Sequence, residues 1–262
     1  MNPPEQPPAD PPDHADEPAE WAVLRRRSVV PLLVVIAVLT FSNVMANRVL
    51  PDWAYVPWNL SIAAIVVAIA VKTDGQRART MGLARKALPA GLRVGAVFSL
   101  GLIAIYAVGL TIPWTRPLFL DERADIPFID MFYKVAIEVP FGTVLLEEVS
   151  FRGVLPAMFA SRIRQGPRSR VTADACAAGL FGLWHILPSW NVNDVNPLFR
   201  DILPDAVGQA AGIVGGVLLT AIAGMGLSWM RNRSDSVLAP AMLHSTSNGV
   251  GSALAWVALK VF

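Results

Sequence analysis

A chain of 262 residues that is 54% hydrophobic and only 16% charged lies well away from the soluble domains, where charge is about 25%. The single cysteine, Cys176, excludes an intramolecular disulfide, and a formal net charge of +2 says less than the positions of the charges. Basic residues flank apolar runs and do not interleave with exposed aromatics, so no nucleic-acid partner is expected.

Residues 1–24 are rich in proline and acid and have little to bury, which predicts a disordered cytoplasmic tail with His14 solvated in it. Arg25, Arg26 and Arg27 then precede SVVPLLVVIAVLTFSNVMA, read as an uncleaved first span because a signal peptide would begin with its basic region. Further apolar segments follow at about Pro57 to Val71, Val94 to Ile112, Met131 to Ala160, Thr172 to Leu187, Ala206 to Met230 and Val237 to Ala258. A crossing needs about 20 residues. The fifth segment is short, and the fourth is long enough to need a bend, for which Pro140 offers a site. The fold expected is all-α: a polytopic membrane bundle of about seven helices, six to eight, filling residues 25–262.

The basic residues test this map. With the N-terminus in the cytoplasm, the inner segments hold Arg25, Arg26, Arg27, Lys72, Arg77, Arg79, Arg85, Lys86, Arg93, Arg162, Arg164, Arg168, Arg170, Arg231 and Arg233. That is 15 of 22. Arg48, Arg116, Arg123, Arg200 and Lys260 fall outside. This asymmetry is the positive-inside signature, and tryptophans near the span ends fit an aromatic belt. The chain reads as an integral membrane protein of a bacterial cytoplasmic membrane, with the lipid bilayer as its first partner.

Ionisable residues inside a span are costly and point to function. Lys134 and Glu138, four apart, are expected to pair near the outer end of the fourth span. In LLEEVSFRG, Glu148 and Arg152 are also four apart and should neutralise each other. Glu147, about 100° round the helix, is aimed elsewhere and is left as a candidate general base. FGLWH supplies His185, and HSTSN supplies His244 and Asn248 on one face of the last span. Counted from the inner boundary, Glu147, His185, His244 and Asn248 lie about 20, 21, 12 and 18 Å deep, so three spans bring polar groups to similar levels.

This set suffices for water-driven amide hydrolysis. Glu147 with His185 could hold and deprotonate a water, while His244 and Asn248 stabilise the oxyanion. Alternatively, Glu147, His185 and His244 could ligate zinc with a fourth position open to water. There is no HExxH. Ser150 has no evident base, and Cys176 sits among alanines.

The same residues carry a resemblance. EEVSFRG resembles the EExxxR motif, FGLWH the FxxxH motif and HSTSN the HxxxN motif of the CPBP family, the CAAX-type prenyl endopeptidases and bacteriocin-processing membrane proteins also called Abi proteins. The likeness runs from about Met131 to Ala258, and MGLARKAL near Met81 resembles the segment before the third span of bacterial members. It implies that Glu147 activates water, that Glu148 and Arg152 support it, that His185 joins Glu147, and that His244 and Asn248 hold the oxyanion. The family is commonly labelled metalloprotease, and a metal-free glutamate mechanism has also been argued for relatives. The substrate implied is a peptide or membrane protein, with a lipidated C-terminal peptide as one form. A non-catalytic immunity or scaffold protein using the same polar cluster is the alternative. A transporter is a weaker reading, since no internal repeat is evident.

Overall fold

The computed structural model describes residues 27–163, 166–190 and 205–262, which are helical and without strands. The expected tail, and Arg25, Arg26, Arg164 and Arg200 of the charge map, lie outside the described residues. Seven helices follow in order: α1 Val30–Arg48, α2 Asp52–Lys72, α3 Leu88–Thr111, α4 over 128–160, α5 Ser169–Trp184, α6 Asp205–Ser234 and α7 over 238–261. They coincide with the seven apolar segments. α1, α2, α3 and α6 are long and apolar enough on their own to cross a membrane. α4, α5 and α7 carry the motif residues.

The sequence explains the breaks. Pro31 lies in the first turn of α1 and Pro51 immediately precedes α2, positions where a missing N–H costs nothing within the helix. α5, at 16 residues, stops at Trp184, and His185 caps it at the end of the fifth span. Hydrophobic side chains point outward along much of the bundle, with Leu100, Ile105, Leu219 and Ile222 all about two-thirds exposed. That is the pattern of a surface facing lipid.

α4 is not a uniform helix. It widens to π-helix over Lys134–Val144 and again over Val149–Val154, with a short α segment, Leu145–Glu148, between them. Pro140 has no N–H to give, and Pro156 follows the second widened stretch, so the ladder is re-registered around both. Leu145 N–H reaches back five residues to Pro140 O, and Leu155 N–H to Ser150 O. Such segments cluster at functional sites, and here they bracket the two glutamates. A third, Thr246–Val250, lies just beyond His244. The wider first segment also spoils the expected Lys134–Glu138 contact, since stacking shifts from i+4 towards i+5. Among the described residues these two form no ion pair.

α4 is the central element. It packs against α2 along its length, against α5 near its end and against α7 at the motif level. α6 lies along α5, and α3 along α7. The largest buried apolar cluster joins Val35 and Leu39 of α1, Ile62 and Val66 of α2, Leu146, Phe151 and Leu155 of α4, and Phe181 of α5. A Cβ on Gly142 would meet Tyr55 Cδ1 at 3.0 Å and Val56 Cγ2 at 3.1 Å, so glycine is what lets α2 and α4 approach there.

Candidate active site

Glu147, Glu148 and Arg152 are 5%, 1% and 1% exposed. Three charges buried in a bundle are tolerated only when they meet partners. Glu148 Oε1 takes a hydrogen bond from His244 Nδ1 at 2.8 Å and faces Arg152 Nη1 at 3.4 Å. The expected Glu148–Arg152 pair is present, and His244 of α7 completes it as the nearer partner. Arg152 places its guanidinium carbon 3.8 Å from the centre of the Phe181 ring, a cation–π contact that is strongest where water is excluded.

Glu147 points to the other side. Its Oε1 accepts from Trp184 Nε1 at 2.9 Å. Its Oε2 is buried without a hydrogen-bond donor and lies 3.7 Å from His244 Nε2. His244 therefore stands between the two carboxylates, Nδ1 on Glu148 and Nε2 turned to Glu147. Three helices meet at this point because α4 presents adjacent glutamates about 100° apart, one towards α5 and one towards α7.

His185 sits where α5 ends. Its Nδ1 is 2.8 Å from Phe181 O. A carbonyl only accepts, so Nδ1 carries the proton and Nε2 is left as an acceptor. Its ring packs edge-on against Phe181 at 4.5 Å between centres, and His244 approaches the same ring at 6.1 Å. Asn248 follows His244 by four residues, half-buried, and its side chain makes no hydrogen bond among the described residues. Glu147, Glu148, Arg152 and His244 are thus linked in a chain, Glu147 to His244 to Glu148 to Arg152. His185 joins them through Phe181 and its neighbour Trp184, and Asn248 adjoins through α7.

Trp184 and Phe181 are the site residues that motif spacing passed over. Both lie in the quoted FGLWH stretch, but an aromatic in an apolar helix gives no sign of whether it fills space or donates a hydrogen bond. Phe151, at 5.2 Å from Phe181 and 5.5 Å from Trp184 between ring centres, holds the two in place.

The zinc alternative can be tested on these side chains. Both histidines have Nδ1 engaged, an arrangement that orients a metal-binding Nε2. Among the described residues, however, no three His, Cys, Asp or Glu converge as metal ligands. As arranged, the side chains do not fit a zinc ion, and no step below is routed through one.

Fold and site together define an integral membrane protein with a buried Glu–His–Glu cluster built from α4 and α7 and bounded by Trp184 of α5. Residues 131–250 match the family model described as type II CAAX prenyl endopeptidase Rce1-like. This match, over a little less than half of the chain, supports the CPBP grouping indicated by its three motifs. No curated protein and no solved structure was found to match it.

Proposed function

We propose that this protein is an intramembrane endopeptidase in which Glu147 activates a water for attack on a peptide carbonyl. The observation that carries the reading is the buried Glu147 carboxylate, oriented through Oε1 by Trp184 and with Oε2 free beside His244 Nε2.

In this mechanism Glu147 removes one proton from water as its oxygen bonds to the carbonyl carbon. The oxyanion is met by His244, which when doubly protonated donates Nδ1–H to Glu148 and Nε2–H to the substrate oxygen. The Asn248 carboxamide is the second donor. Such donors in a dry site are a large part of catalysis. Glu147 then passes the proton to the leaving amine as the C–N bond breaks, giving an amine and a carboxylic acid, whose remaining water proton is lost to the amine or to solvent on release. His185 Nε2 is an acceptor for hydrogen bonds from the water or from that amine. Glu148 and Arg152 hold His244 in place. The substrate is a peptide or membrane protein reaching the site from within the bilayer, and a lipidated C-terminal peptide is one form that lateral entry suits.

The test is a comparison of new protein termini in cells expressing wild type or Glu147→Gln at matched levels. Termini found only with wild type are expected, with the variant equally abundant and folded. Equal termini in both, together with rescue of a deletion phenotype by the variant, would favour the scaffold reading.

A further inference from the structure

Among the buried polar side chains that the proposed mechanism leaves unused is an asparagine. Asn59 of α2 is 3% exposed, and its Oδ1 is buried with no hydrogen-bond donor. Leaving an amide oxygen unmet in a protein interior is destabilising, and a leucine of similar size would avoid that cost.

The register of α2 against α4 shows where Asn59 faces. Tyr55 Oη and Thr143 Oγ1 are hydrogen-bonded at 3.1 Å. Beyond the other end of α2, Asp74 pairs with Arg162. Both pairs have the same sequence separation of 88, so the two helices run in the same direction and in step. Asn59 and Glu147 have that separation too. Each lies four residues, about 6 Å of rise, beyond the Tyr55–Thr143 contact. Asn59 shares the face of α2 that makes this contact, since positions four apart stack, and α2 packs against the Leu145–Glu148 turn of α4. Leu146 packs in one cluster with Ile62 and Ala63, the next turn of α2. Tyr55 also lies within electrostatic reach of Glu147.

Two buried acceptors, Asn59 Oδ1 and Glu147 Oε2, therefore lie at one level between α2 and α4, and neither receives a donor. We infer that they hold a single water between them, one O–H directed to Glu147 and the other to Asn59. A water has two hydrogens to donate, and this arrangement uses both while leaving its lone pairs free for attack. Asn59 then touches the reacting water and is a catalytic residue. His185 Nε2 is released from the resting water to receive the leaving amine. This assignment rests on the endopeptidase reading only for the role of the water, and not for its presence.

The experiment uses the full chain in lipid nanodiscs and infrared difference spectra of wild type minus Glu147→Gln, with ordinary and heavy-oxygen water as the probe. An O–H stretching band that shifts in heavy-oxygen water is expected. In Asn59→Leu it should vanish or move to the higher frequency of an O–H lacking an acceptor, with thermal stability unchanged or raised. Asn59→Ala, which adds no bulk, should do the same if leucine hinders folding. In cells, the wild-type-only termini should fall on the order of 10²-fold in yield, the effect of a misplaced nucleophile. Absence of the water band in wild type, or a band identical in both Asn59 variants, would overturn the assignment. If the band behaves as expected but no Glu147-dependent termini form, the endopeptidase reading fails and the water site stands.

Discussion

Glu148 and Arg152 offer the sharpest separation of structure from catalysis. Both are 1% exposed, 3.4 Å apart, and Arg152 Nε, Nη1 and Nη2 make no hydrogen bond. Removing one partner of a buried pair strands the other charge and costs about 3–5 kcal/mol, whereas replacing both with apolar groups is often neutral. Glu148→Gln should thus strand the guanidinium at about that cost, and Arg152→Met, which leaves Glu148 its His244 partner, should cost less. The double variant should recover most of the Glu148→Gln cost, so that the single losses together exceed the double's by well over about 0.5 kcal/mol. The assay is reversible unfolding in mixed micelles, followed by circular dichroism. Catalysis should not recover with the fold, because His244 Nδ1 loses its carboxylate partner in both variants that lack Glu148. Single losses that simply add, within about 0.5 kcal/mol, would refute the argument that these charges support each other.

Two further predictions concern the catalytic geometry. Trp184→Phe keeps the packing against Phe151 but removes the N–H donated to Glu147 Oε1 at 2.9 Å. A hydrogen bond to a charged group is worth about 1.5–3 kcal/mol, so the cleavage rate should fall between about tenfold and 150-fold; a rate equal to wild type would mean that Glu147 needs no such orientation. Asn248→Ala should lower kcat by about 10² to 10³ with little change in KM, as loss of an oxyanion donor does, and a change confined to KM would place Asn248 in substrate binding.

The membrane class and the seven helices were legible in the amino-acid sequence, because apolar length and the placement of arginine are properties of single segments. The motif residues were legible too, since a charge in an apolar run stands out wherever it folds. The Glu148–Arg152 pair followed from helical spacing alone. Other features needed the packed bundle. The same spacing rule failed for Lys134 and Glu138, where Pro140 re-registers the helix into a wider turn. His185 stands near the end of the fifth span as expected, but only the packed helix showed its Nδ1 turned to the Phe181 carbonyl. His244 was assigned to the oxyanion, and only tertiary structure placed it between two carboxylates.

Composition and periodicity determine that this chain enters a bilayer, how many times it is helical and which side chains are too polar to be there by accident. Which of those side chains meet is decided by distances between helices far apart in sequence. An indole can be filler or donor, and an asparagine can be interhelical adhesive or a hold on water. The choice depends on the one atom that the neighbouring helix brings within about 3 Å.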